Sequence, residues 1–511
     1  MNTKHLKTIL LLLNTSLVFF LILLNNLGII PLRTGDFIFF TFLAFALALY
    51  RPGWMFLFFI GTIPLENINL APASFGISIR PYQLLGSLII LAVIIRWLSG
   101  KLNFKLAKLK WPDYLVIIMA ISGLISALAH PNSLKLSLII ISFAAFYFLT
   151  RIYIQSTDDL KKIVPFFLTS SLVVILYGIW QNIWFMRGLN GFEVMPGRPN
   201  ATFTEADWLG IFLVLLISVL YVLIYNFQKS KIKIQKIFLL IILILSYILL
   251  ILTVSRSAWL GAFISLVVFL FAIFTNLKIS FKNLEWKKTI KIKLTIIPAL
   301  IIAVGLVYVF NLTNFQLGNR VQSTGSGMQK ITISCEERID LPENIKNVTE
   351  LNQYNCRHIN LEEIDSEKSN EKYVAEIYRN DPNVSIRGEI YQKSWQEIKQ
   401  HPILGIGWGS IGNILGKDGR GTDLNSSNIF LEVWLGSGIL GFASFVILLA
   451  YILIKGIKEF YLAQNSSQRI FGLFIIVSWF AIIIPNLFNA GIMLGFLWVW
   501  IAVVFTKINK V

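Results

Sequence analysis

Long apolar runs and short polar breaks alternate along almost the whole chain, with runs near residues 9–30, 36–50, 53–64, 82–98, 113–128, 133–150, 163–184, 206–226, 236–254, 257–275, 294–311, 428–454, 470–486 and 490–506. Runs of this length in lipid form helices, because the hydrocarbon offers the backbone no outside partner for its hydrogen bonds. The second and third runs are short and meet at Arg51-Pro52-Gly53, so two short spans and one re-entrant hairpin both stay open. The pattern predicts an all-α, polytopic integral membrane protein with about 12–14 transmembrane helices and one long extracytoplasmic loop. Residues 1–311 hold helices 1 to about 11, 312–427 form a large outer-loop module, and 428–511 hold the C-terminal helices. The module reads as a small extramembrane piece without a core of its own. Within it, Ile386, Ile390, Trp395 and Ile398 are spaced for an amphipathic helix that His401-Pro402 would end.

Composition agrees with that pattern. At 511 residues, 56% hydrophobic and a mean hydropathy of +0.70, the chain is too apolar for a soluble globular protein. A formal charge of +18 would suit a nucleic-acid partner, but its distribution excludes one. Lys and Arg concentrate in the breaks at 96–110, 151–162, 229–236, 278–293 and 455–469, as cytoplasmic loops do. That bias puts both termini in the cytoplasm and residues 312–427 outside. The N-terminus has Lys4, His5 and Lys7 before an apolar run too long for a signal peptide, with no small-x-small cleavage site, so it is expected as an uncleaved first span. The two cysteines, Cys335 and Cys356, both lie in the outer segment. A disulfide and two free thiols are both open, and confinement to the outer segment favours the disulfide.

Three arginines stand on the outer side, against the charge rule. Arg198 lies in Gly197-Arg-Pro-Asn-Ala-Thr-Phe-Thr-Glu-Ala-Asp-Trp-Leu-Gly210, Arg256 in Thr253-Val-Ser-Arg-Ser-Ala-Trp-Leu-Gly261, and Arg387 in the stretch Ser385-Ile-Arg-Gly-Glu-Ile-Tyr391. An arginine at membrane depth is costly unless paired, and no acid lies beside Arg256 in sequence. An external anion is its natural partner, phosphate above all, because guanidinium binds it through two parallel bonds; the plain alternative is a side chain snorkelling to lipid headgroups. Thr204-Glu-Ala-Asp207 has the capping-box pattern, favouring a helix start over a catalytic acid. His401 reads more as a turn residue than as a base. The remaining histidines are scattered, and neither a metal cluster nor a lysine-bearing phosphate loop is present, so no metal or cofactor is expected.

Taken in order, Thr253-Val-Ser-Arg256-Ser-Ala-Trp-Leu-Gly, Arg387 with its Trp-containing helix, His401-Pro-Ile-Leu-Gly-Ile-Gly407 and Asn428-Ile-Phe-Leu-Glu-Val-Trp-Leu-Gly-Ser-Gly438 resemble the O-antigen ligase and polymerase superfamily over roughly residues 190–450. The resemblance implies a membrane glycosyltransferase of the bacterial inner membrane, working without a metal in surface-polysaccharide biosynthesis. It would move or polymerise a glycan from an undecaprenyl-pyrophosphate carrier onto a glycan or lipid acceptor, on the outer face and among membrane lipids. It also implies that Arg198, Arg256 and Arg387 grip the pyrophosphate, with Ser427 and Asn428 at the substrate. Ligases of the family carry a His where Ser427 stands, which favours a polymerase or a related surface-glycan transferase here. The expected catalytic set is Arg256, Arg387, Glu432 and His401. Asp207 and Asp423 are further candidates for the base, and Glu432 reads equally as a buried structural acid four residues after Asn428. The rival readings are a flippase or transporter of lipid-linked oligosaccharide, and an inactive family member.

Overall fold

All fourteen apolar runs become helices in the computed structural model, which describes residues 3–102, 108–195, 197–227, 233–279, 286–313, 327–346, 348–359, 363–417 and 421–508. The first eleven are α1 (Thr3–Asn26), α2 (Thr34–Tyr50), α3 (Pro52–Thr62), α4 (Pro81–Leu98), α5 (Trp111–Ala129), α6 (Leu134–Tyr153), α7 (Thr157–Met186), α8 (Ala206–Asn226), α9 (Lys233–Leu252), α10 (Arg256–Ile279) and α11 (Trp286–Val309). The long polar segment adds β1 (Met328–Cys335), β2 (Asn344–Ile345), β3 (Cys356–Ile359), α12 (Ile364–Ser369), β4 (Tyr373–Asn380), α13 (Pro382–Gln400) and α14 (Ile411–Leu415). The chain closes with α15 (Ile429–Tyr461), α16 (Ser466–Asn486) and α17 (Gly495–Val503). Among the described residues, ten of these helices are long and apolar enough to cross a membrane. α2, α3, α17 and the apolar part of α11 (Thr295–Val309) are too short for the roughly 20 residues that a 30 Å hydrocarbon core demands.

α8 is apolar all round and buried on nearly every side, as a central helix must be. It packs against α9, α10 and α16, and α16 in turn packs against α10 and α15. α5 lies along α15, while α6 packs between α5 and α17. At one end of the bundle, Arg151 bonds to Asp113 and to the Phe505 carbonyl, Lys455 donates to the Val504 carbonyl, and Lys507 pairs with Gln155 and Thr157. The polar breaks after α6 and α15 therefore meet the C-terminal segment. The opposite end carries the α9–α10 turn and the start of α15.

This polar segment corrects one expectation, because it does have a core of its own. Its four strands run in the order β2-β4-β1-β3, antiparallel except for the short β2–β4 pair. Ile331, Ile333, Ile345, Leu351 and Ile377 pack into a small cluster apart from the bundle core. Cys335 and Cys356 face each other in the β1–β3 register and are joined as a disulfide within that cluster. The strands are short and their apolar residues sparse, so the pattern was hidden in a polar stretch. α13 runs to Gln400 and buries Ile390 and Ile398, whereas Ile386 and Trp395 are exposed.

The two glycine-rich motifs are parts of one joint. α15 kinks at Gly438, whose φ of 64° suits only glycine, and a Cβ there would collide with the Ile403 carbonyl. In a regular helix Ile439 would donate to Leu435. Here Ile439 N donates to the Pro402 and Ile403 carbonyls at 3.1 and 3.2 Å, and the Leu435 carbonyl accepts from Ile406 N at 2.8 Å and Gly407 N at 3.1 Å. The 402–407 loop thus replaces both halves of one broken ladder bond, a kink with an identifiable cause. Gly405, φ 72°, lies against the Leu435 carbonyl where no side chain fits.

Candidate functional site

The α9–α10 turn, residues 253–257, is the floor of the site. Val254 takes a φ of 52°, a strained conformation for a β-branched residue, and it turns the chain sharply so that Arg256 can open α10. Ala201 and Ser427, in the two loops beside it, have φ of 46° and 50°. Such conformations persist where the surrounding structure over-determines them.

The Arg198 loop is fixed from several sides. Gln181 accepts from Ala201 N at 2.7 Å, and Thr202 donates to the Pro64 carbonyl at 2.6 Å. Held there, Arg198 donates from Nε to the Thr253 carbonyl at 2.9 Å and from Nη2 to Asp207 at 3.1 Å. Asp207 also accepts from the Ser255 hydroxyl at 2.5 Å. This corrects the capping-box expectation. α8 starts after Glu205 with no side-chain cap, and the Asp207 carboxylate is turned to Arg198 and Ser255 instead. The charge of Arg198 outcompetes a neutral backbone N–H for that carboxylate.

Arg256 is also paired, against the expectation that it waits for an external anion. Its Nη1 donates to Asp381 at 2.9 Å, and the Asp381 side chain is only 2% exposed. Asp381 lies between β4 and α13, 125 residues from Arg256, so no local pattern could reveal the contact. Arg387, on the first turns of α13, is partly buried, and its charge acts on both Asp207 and Tyr391. Burial pushes the Tyr391 hydroxyl up from its ordinary range, while Arg387 pulls it down.

The turn after α16 ties the other parts in. Asn489 donates to the Ser257 hydroxyl at 2.9 Å. The Leu487 carbonyl accepts from Asn428 at 3.0 Å and from Tyr391 at 3.5 Å, and Tyr391 also bonds to the Ser427 carbonyl at 3.2 Å. Asn428 caps α15 by accepting from Phe430 N and Leu431 N. Tyr391, Asn489 and Leu487 were missed by sequence reasoning; Tyr391, four residues after Arg387 on one helix face, carried the only usable signal.

Other expected residues sit elsewhere. Glu432 is buried and accepts from Ser426 N at 2.8 Å, the contact of a structural acid that holds the 425–428 loop. His401 is exposed at the end of α13, with its ring 6.1 Å from that of His130. Asp423 pairs with Lys417 in a short bridge and packs at Gly412. Among the described residues none of the three touches an arginine of the cluster, and no group of three His, Cys, Asp or Glu gathers as metal ligands. Beside the cluster, Tyr391, Gln392, Trp395, Asn428, Trp434 and Phe442 line an open cleft of about 580 Å³ between α13 and α15.

Chemically, the arrangement is a partly buried group of guanidiniums, two of them held in charged hydrogen bonds, at one end of an apolar bundle. Such a group stabilises anionic charge far better than the same residues in water. No curated protein matches the chain. Residues 241–446 match the Wzy_C family model, described as O-antigen ligase, a span that includes Arg256, Asp381, Arg387 and the Gly438 joint and leaves Arg198 and Asp207 outside. The match supports a place in the O-antigen ligase superfamily, a family that implies an O-antigen ligase-like membrane glycosyltransferase.

Proposed function

We propose that the protein transfers or polymerises a glycan from an undecaprenyl-pyrophosphate carrier onto an acceptor hydroxyl at the outer face of the bacterial inner membrane. The observation that carries this reading is the convergence of Arg198 and Arg256 on one strained turn, with Arg387 acting on the same carboxylate as Arg198. In the reaction the acceptor oxygen attacks the anomeric carbon, the bond from that carbon to the pyrophosphate oxygen breaks, and the carrier pyrophosphate leaves with the electron pair. Guanidiniums already in place stabilise the charge that develops, usually the largest single contribution to such a barrier. Of the bases weighed from the sequence, Asp207 is the one that contacts the cluster, and we assign it the acceptor proton. Ser427, where ligases carry His, meets no activating group among the described residues, so the reading leans to a polymerase or related transferase. The charge distribution supports cytoplasmic termini and an outer module.

The test is transfer by purified protein in proteoliposomes, supplied with an isoprenyl-pyrophosphate-linked glycan. Acceptor-dependent release of isoprenyl pyrophosphate supports the reading. Movement of the intact lipid-linked glycan across the bilayer, with no release, would instead make the protein a transporter.

A further inference from the structure

We propose that Asp381 is a positioning residue that acts as a displaceable counter-ion: it holds Arg256 in the empty site, and the donor's pyrophosphate takes its place there. The inference rests on the reading of the arginine cluster as a pyrophosphate site and adds to it how that site is filled and emptied.

An arginine as buried as Arg256, 18% exposed in its side chain, is costly to leave unpaired. Asp381 removes that cost in the absence of substrate. The same pairing means that an anion taking the Nη1 edge of this guanidinium must displace a carboxylate. Counting charges, three arginines against Asp207 and Asp381 leave one net positive charge. A pyrophosphate diester carries two negative charges, so within this group of five side chains the second is balanced when Asp381 gives up Arg256. Asp207 is a poor candidate for leaving, because it is bonded to both Arg198 and Ser255 on rigid elements.

Asp381 stands at the joint between the sheet module and α13. It is the residue between β4 and α13, and its backbone N donates to the Gly327 carbonyl at 2.8 Å, at the edge of the sheet module. α13 carries Arg387 and Tyr391. Release of Asp381 therefore loosens the link between module and bundle and frees the start of α13, so that Arg387 closes on the bound pyrophosphate. After transfer, the carboxylate competes for Arg256 again and helps to expel the isoprenyl pyrophosphate product.

The experiment measures binding of isoprenyl pyrophosphate alone to the purified full-length chain. Asp381→Asn keeps the shape and removes the competing charge, so it is expected to bind about tenfold tighter than wild type, the size of one charge-assisted hydrogen bond. In turnover the same variant should lower donor KM and kcat together, because product leaves more slowly. A folded Asp381→Asn that binds equally or more weakly while Arg256→Gln loses binding overturns the counter-ion and leaves the pyrophosphate reading standing. If Arg256→Gln also binds like wild type, the pyrophosphate reading itself fails, and the counter-ion with it. A second measurement uses wild type only: hydrogen exchange at residues 373–381 should speed up on adding isoprenyl pyrophosphate. Unchanged or slower exchange there would contradict the proposal even if Asp381→Asn does not fold.

Discussion

The Nε of Arg198 donates to the Thr253 carbonyl at 2.9 Å, tying two segments 55 residues apart and leaving Nη2 on Asp207. One planar side chain thus sets both the turn that carries Arg256 and the carboxylate opposite it. A lysine reaches one of these partners but lacks the fork to hold both. Arg198→Lys should therefore lose about tenfold to a hundredfold in kcat/KM, nearly as much as Arg198→Ala, since each such contact is worth roughly 1.5–3 kcal/mol. Donor titrations of the two variants check this, and a lysine variant close to wild type would mean that charge alone suffices.

Gly438 has a similarly double duty. A side chain there meets both a positive φ of 64° and the Ile403 carbonyl. Gly438→Ala should cost at least about 1–3 kcal/mol from the backbone conformation. It should also expel the 402–407 loop, which then loses the Ile406 and Gly407 bonds to Leu435. Hydrogen exchange at residues 403–407 reads the second effect directly: strong protection in wild type, rapid exchange in the variant.

Much of this architecture was legible in the sequence. The run at 206–226 became α8 with the same bounds, and the helix expected before His401-Pro402 ends at Gln400. Lipid enforces that legibility, since an apolar run must satisfy its own backbone. The pairing of Arg256 with Asp381 was not legible, because the bond spans 125 residues and joins the bundle to the sheet module. The helix start expected at Thr204–Asp207 is where α8 begins, but the capping contact is absent, because the tertiary approach of Arg198 takes the Asp207 carboxylate. The exchange of bonds at Gly438 follows from two motifs that the sequence keeps apart.

Glu193 provides a pH handle in the loop that carries Arg198. One carboxylate oxygen accepts from Gly197 N at 3.1 Å, and the other is buried without a hydrogen-bond partner among the described residues. Burial pushes its carboxyl up to about 7 from an ordinary 4.5. The folded protein then holds this proton more tightly than the unfolded chain, so its stabilising effect is complete below 4.5 and is lost as pH rises through 7. Glu193→Gln should melt higher than wild type at pH 8 and match it near pH 4.5. Equal melting temperatures across that range would show that Glu193 titrates normally.

The bond between Cys335 and Cys356 closes a loop with a sequence separation of 21 inside the module's own core. Its loss should destabilise the module by about 3 kcal/mol while leaving the bundle folded. Alkylation of protein in native membranes should label neither thiol before reduction. After reduction, proteolysis should cut within residues 328–380 first. Labelling before reduction would place the segment in a reducing compartment and contradict the outward topology.

The most direct test of the central claim compares Arg256→Ala with Ser427→Ala in glycan transfer by purified protein from an isoprenyl-pyrophosphate donor. Arg256 would hold the leaving group, whereas Ser427, in a strained loop whose carbonyl accepts from Tyr391, has no activated hydroxyl. The account predicts that Arg256→Ala loses about tenfold to a hundredfold in turnover, while Ser427→Ala keeps most of it. Full activity in Arg256→Ala, or a Ser427→Ala enzyme equally impaired, would contradict it.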